Sequence, residues 1–157
     1  MNILIICSGN TCRSPMAQAL LTDMLKKRQA DIKPGKITVA SAGLYAVEGA
    51  PAAREAMQVM TEQSLDLSWH RSRQLCQDML DWADLVLTMN GRQAQEIYKC
   101  FPGFKGMIYT LGNFAGQDNT EVKDPLGWGI SAYRECAQQL RELLELAVER
   151  IIQEFEI

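Results

Sequence analysis

Ile3 to Cys7 is a short, continuous apolar run rich in β-branched residues, the pattern of a strand buried on both faces. Polar residues take over at Ser8. A loop runs to Arg13, and Ser14 is read as the cap of a helix with Pro15 in its first position. Met16, Ala19, Leu20, Met24 and Leu25 then recur at helical spacing and give that helix one apolar face. The same alternation continues downstream. Ile37 to Ser41 reads as a second strand, and Pro51 to Gln63 as a helix with Ala53, Met57 and Met60 inward. Leu75 to Trp82 reads as a short helix, Leu85 to Met89 as a third strand, and Arg92 to Cys100 as a helix. Met107 to Leu111 reads as a fourth strand, and a long amphipathic helix spans Ser131 to Glu154. Strands alternating with helices predict a single α/β domain over residues 1–157: a four-stranded parallel sheet with helices on both faces and a ligand-binding loop after the first strand.

Composition narrows the class of function. The chain has 157 residues, 47% apolar and 22% charged, which suits one globular core. Its net charge of −3 argues against nucleic acid or an anionic membrane as partner, since both call for a basic face. No apolar run approaches the roughly 18 residues of a membrane span. The initial apolar run lacks the basic segment of a signal peptide. Five scattered cysteines, an odd number, do not form a disulfide framework. With one histidine and no CxxC pair, a metal site is not expected, nor is any cofactor. Free thiols point to a reducing cytoplasm. Cys76, Cys100 and Cys136 read as apolar fillers, and Trp82 and the methionines as core. Nothing in the pattern sets an oligomeric state.

The chemistry is concentrated in Cys7-Ser8-Gly9-Asn10-Thr11-Cys12-Arg13-Ser14. A loop between a buried strand and a helix start lies where open α/β sheets bind ligands. Its backbone N–H groups and the helix dipole converge on one spot, which suits a phosphate dianion. Gly9 is expected to relax the backbone, and Asn10 to accept left-handed angles and brace the loop through its amide. Cys7 would lie at the floor as an accessible thiolate, the attacking species of covalent phosphoryl transfer. Arg13, separated from Cys7 by five residues, can curl back and offer a planar fork to two phosphate oxygens. A Ser14 hydroxyl bonded to the sulfur would ease its departure.

These residues resemble the low-molecular-weight protein-tyrosine-phosphatases, and the likeness extends over nearly the whole chain. Beside the loop, Ser41-Ala42-Gly43, His70-Arg71, Ala83-Asp84-Leu85 and Asp124-Pro125 match segments of that family. The resemblance implies a hydrolase acting on phosphorylated proteins through a phosphocysteine. Cys7 would be the nucleophile, Arg13 the clamp and Asp124 the acid, then base. Ser8, Gly9, Asn10, Thr11, Cys12 and Ser14 would hold the substrate. Asn10, Ser14, Ser41 and His70 would support the loop, and Cys12 would form a reversible disulfide with Cys7 on oxidation. Thr11 stands where tyrosine enzymes often carry a larger aliphatic residue, and Leu126-Gly127-Trp128 replaces their tyrosine pair. Both features resemble the family's protein-arginine-phosphatase branch. Tyr45, Leu126 and Trp128 are candidate walls. Three rivals remain: an arsenate reductase of the same fold, which needs closely spaced relay cysteines, a cysteine-phosphorylated carrier, and a phosphate-binding module. A carrier would lack both Arg13 and Asp124, and a binding module would have lost Cys7 or Asp124.

Overall fold

Four parallel strands form the sheet, in the order β2-β1-β3-β4. The computed structural model describes residues 1–28 and 30–155; Gln29, Glu156 and Ile157 lie outside the described residues. In chain order the elements are β1 (Asn2–Cys7), α1 (Arg13–Lys27), β2 (Thr38–Gly43), α2 (Arg54–Glu62), α3 (Gln77–Trp82), β3 (Leu85–Thr88), α4 (Gly91–Cys100), β4 (Ile108–Thr110), α5 (Leu111–Phe114) and α6 (Ile130–Glu154). No helix among the described residues is long and apolar enough to cross a membrane.

β1 pairs with β2 on one side and β3 on the other. Its alternate residues feed two cores, which is why the run is apolar without a break. Ile3, Ile5 and Cys7 pack with α1, α2, α5 and α6, through residues such as Leu20, Met60, Phe114 and Leu144. Leu4 and Ile6 pack with Leu80 of α3 and Ile97 of α4. The chain leaves β1 toward β2 on one side and later returns to β3 on the other. The carboxyl end of β1 is therefore the switch point at which a crevice opens in such sheets.

Several boundaries differ from the sequence reading. Ser14 does not cap α1. The helix begins at Arg13 after Cys12, and its cap has no side-chain hydrogen bond. Pro15 is the third helical residue rather than the first. It is tolerated because the N–H it lacks precedes the first helical bond, which Met16 N–H makes to the Cys12 carbonyl. α2 starts at Arg54, and its buried residues are Ala56, Val59 and Met60, with Ala53 and Met57 only half-buried. The fourth strand stops at Thr110, whose hydroxyl accepts from Asn113 N–H and opens α5, an element the apolar pattern did not reveal. Cys76 and Cys100 are exposed and are not core fillers; Trp82 and Met107 are exposed too.

β1 and β2 end in register, with Cys7 opposite Gly43. A Cβ at Gly43 would lie 2.8 Å from the Ser8 carbonyl oxygen and 3.0 Å from Asn10 Cβ, so β2 leaves room for the loop only as glycine. Gly43→Ala is expected to cost about 1–3 kcal/mol through this overpacking. Calorimetry should show it as a Tm lowered by roughly 2–12 °C. An unchanged Tm would mean the loop yields freely.

Candidate active site

The turn from β1 into α1 is organised around Asn10, which takes the left-handed backbone conformation (φ 57°) and is fully buried. Gly9 has no positive φ, and a Cβ there would meet only Thr11 Oγ1 at 3.7 Å. The conformational freedom expected of Gly9 is therefore not used; Asn10 makes the bend instead. The Asn10 Nδ2 group donates to Ser14 Oγ (2.7 Å) and Ser41 Oγ (3.0 Å), while its Oδ1 accepts from Arg73 N–H (2.9 Å). The Ser41 hydroxyl in turn donates to Gln18 Oε1 (2.7 Å) on α1.

This scaffold fixes the Cys7 sulfur. Ser14 Oγ lies 2.9 Å from Sγ, and Asn10 N–H donates to Sγ at 3.3 Å. Ser14 accepts from Asn10, so its hydroxyl proton is free for the sulfur when Cys7 is a thiolate. Cys7 is 3% exposed, less accessible than its position in the loop suggested. It lines a cavity of about 230 Å³. Ser8, Gly9, Thr11, Cys12 and Arg13 border that cavity, with Tyr45, Asp124 and Leu126 across from them. Asn10, Ser14, Ser41 and His70 lie buried behind the loop. Trp128, proposed as a wall, does not reach this cavity. It borders a separate one beside Cys136, with Lys123 Nζ 4.8 Å from the centre of its ring.

Arg13 is nearly buried. Its Nη1 donates to the Val122 carbonyl (2.9 Å), and Nη2 lies 3.7 Å from Asp124 Oδ2. Asp124 Oδ1 accepts from Leu126 N–H (3.1 Å), which leaves Oδ2 as the oxygen nearer the arginine. Pro125 to Trp128 then closes a turn in which Gly127 takes φ 82°. That angle by itself calls for glycine. Cys12 Sγ contacts Tyr133 Oη at 3.2 Å. Burial pushes the Cys12 thiol up, against the opposing pull of its Tyr133 and Thr11 contacts. Burial likewise pushes Cys136, one helical turn beyond Tyr133, up to about 12.

Four partners escaped the sequence reading: Gln18, Gln93, Tyr133 and the Val122 carbonyl. Gln18 follows Ser14 by one helical turn, a spacing that could have been noticed. Gln93 and Tyr133 sat within helical patterns, and a backbone carbonyl leaves no mark in sequence.

A thiol, a guanidinium and a carboxylate around a strand-to-helix loop at the switch point of a parallel sheet define a class: the cysteine-dependent phosphatases. Comparison places the chain within that class. Residues 2–156 match the family model for low molecular weight phosphotyrosine protein phosphatase, and the chain belongs to that family. It is 38% identical to the protein-arginine-phosphatase of Geobacillus stearothermophilus, over 95% of each chain. It is equally 38% identical to the probable low molecular weight protein-tyrosine-phosphatase EpsP of Ralstonia nicotianae, over 95% of this chain and 94% of that one. Among solved structures, a cysteine-to-serine mutant of the arginine phosphatase YwlE, bearing a phosphorylated active-site serine, superposes with a TM-score of 0.92. The two are 29% identical, over 99% of each chain.

His70 supplies a test of the scaffold. Its Nε2 lies 2.6 Å from the Asn10 carbonyl oxygen, an acceptor only, so Nε2 carries a proton. Burial lowers the imidazole pKa below its ordinary 6.5, partly offset by that bond. The unfolded chain therefore takes up the second proton first. Stability from a neutral His70 is fully present above about pH 6.5 and is lost as pH falls from there toward the folded value. In urea unfolding at pH 7.5 and 5.5, the wild type should lose more stability than His70→Gln. Equal losses would show that another group titrates.

Proposed function

We propose that this chain dephosphorylates proteins through a phosphocysteine on Cys7, with phosphoarginine as the preferred substrate and phosphotyrosine second. The observation carrying the reaction is the Cys7 sulfur, held by Ser14 Oγ at 2.9 Å at the base of a cavity that Arg13 and Asp124 also border. The Cys7 thiolate attacks phosphorus while the bond to the leaving nitrogen or oxygen breaks and Asp124 gives that atom a proton. Arg13 and the loop N–H groups of residues 8–14 take the charge of the transferring group. Asp124, now a carboxylate, accepts a proton from the water that attacks the phosphocysteine. The Ser14 hydroxyl stabilises the sulfur as it leaves. The phosphorylated serine of the YwlE mutant supports a route in which the phosphoryl group passes to the side chain at the nucleophile position. The chemistry needs Cys7 reduced, which suits the cytoplasm; that Cys12 borders the same cavity supports the reading that it traps an oxidised Cys7 as a disulfide.

The preference for phosphoarginine rests on Thr11, a small hydroxyl-bearing residue rather than a larger aliphatic one, which borders the same cavity as Asp124. Tyr45 and Leu126 favour the second reading, since both offer apolar surface to a phenyl ring.

Asp124→Ala should lower turnover by about 10²–10⁴ for phosphorylated protein side chains, and far less for activated aryl phosphates, whose leaving groups need no proton. Equal losses for both would remove Asp124 as the acid. Thr11→Ile should shift selectivity toward phosphotyrosine. A change of about 1.4 kcal/mol between the two transition states is tenfold in the ratio of kcat/KM. Measuring that ratio on phosphoarginine and phosphotyrosine proteins decides the point; an unchanged ratio returns phosphotyrosine to first place.

A further inference from the structure

Helix α4 carries a buried polar side chain that the reaction above does not use. Gln93 is 3% exposed. Its Oε1 accepts from Met89 N–H at 2.8 Å, and its Nε2 donates to Ser8 Oγ at 3.3 Å. The backbone beneath it is pinned as well. Gln93 N–H donates to the capping Asn90 Oδ1 (2.9 Å), and the Thr88 hydroxyl donates to the Asn90 carbonyl (2.9 Å). The orientation of the amide follows from chemistry. Only its oxygen can accept from Met89 N–H, so its NH₂ end faces Ser8. An NH₂ group cannot accept, so Ser8 Oγ is the acceptor and its own proton must point elsewhere.

Ser8 borders the cavity above Cys7, and its carbonyl is already engaged by Tyr45 N–H at 2.8 Å. We infer that Gln93 is a positioning residue: it turns the Ser8 hydroxyl into a donor facing the cavity, where that hydroxyl bonds a phosphoryl oxygen of the substrate. The inference rests on the reading that this cavity binds a phosphoryl group. It joins the end of β3 and the start of α4 to the residue that follows the nucleophile.

The test is a double-mutant cycle on the full chain. Inorganic phosphate serves as competitive inhibitor and para-nitrophenyl phosphate as substrate. Gln93→Glu keeps an acceptor for Met89 N–H but offers Ser8 a second acceptor, which draws the hydroxyl proton away from the cavity. Gln93→Met removes the donor without adding charge. Loss of a hydrogen bond to a charged phosphoryl group should raise the phosphate Ki and the KM about tenfold in Gln93→Glu and in Ser8→Ala, with kcat held within about threefold. Gln93→Met should raise both by a smaller factor. In the Ser8→Ala background neither change at Gln93 should weaken phosphate further. A loss that persists undiminished in that background would overturn the proposal, because the effect would then be a carboxylate field or a disturbed fold. Unchanged Ki and KM in Gln93→Glu would also overturn it. If the wild type showed no phosphate-competitive hydrolysis, the reading of the cavity would fail, and this proposal with it.

Discussion

The left-handed turn at Asn10 is the constraint on which the site depends. An extended or helical residue there would carry the chain away from Cys7 instead of folding it back over the sulfur. Asparagine tolerates the angle better than most residues, and its amide then works on both sides of the loop. One side chain holds Ser14 on α1, Ser41 on β2 and the backbone at Arg73, while its carbonyl holds His70. Asn10, Ser14, Ser41 and His70 are shielded from water, so each bond left unmade among them would cost a desolvation penalty. The network is closed: no buried side-chain nitrogen or oxygen among the described residues lacks a partner. The sulfur inherits its position from this network.

The sheet supplies the second half of the arrangement. β1 ends opposite Gly43 because β2 must approach the loop within the space a hydrogen atom occupies. β3 delivers Met89, whose carbonyl accepts from Val122 N–H, and the carbonyl of Val122 in turn fixes Arg13. Arg13 is thus oriented by a residue more than a hundred positions downstream. Asp124 follows two residues later, so one strand-anchored segment sets both the guanidinium and the carboxylate. This economy has an electrostatic consequence. Arg13 and Asp124 approach to 3.7 Å, but the carboxylate is half-exposed and water screens the pair. Asp124 is therefore only loosely tied to the arginine, which is compatible with the acid role proposed for it.

How legible the molecule was depends on the length scale of each signal. The four strands and the longer helices announced themselves through apolar periodicity, and the parallel sheet followed from their alternation. Strand–Cys–loop–Arg–Ser–Pro placed the cavity on the carboxyl end of β1, where the structure has it. What failed was local. Ser14 looked like a cap because serine before proline usually is one, yet its hydroxyl is needed by Cys7 and Asn10 and the helix starts earlier. α5 is four residues long, too short for periodicity to register. Cys76 and Cys100 were judged by residue type, but Cys76 precedes α3 and Cys100 ends α4, where residue type does not decide exposure. Gln18 and Gln93 make tertiary contacts whose partners lie far away in sequence, and no spacing rule connects Gln93 with Ser8.

Burial also separates the parts of the site by the freedom they retain. Asn10, Ser14, Ser41 and His70 are sealed, and each is bonded so that almost any replacement breaks something structural. Tyr45 and Leu126, at the rim, are 70% and 63% exposed. Tyr45 has one side-chain bond, from its hydroxyl to Glu96 Oε1 at 2.7 Å, and Leu126 rides on a turn whose angle is set by Gly127. The stability cost of changing a rim residue is small, whereas its effect on which leaving group fits is direct. Selectivity can therefore drift among chains that share the buried network. Equal identity to a protein-arginine-phosphatase and to a probable tyrosine phosphatase therefore does not distinguish the two substrates. On the proposed reading, selectivity would be sought first in Thr11, Tyr45 and Leu126, which border the cavity, and in whatever positions them from behind.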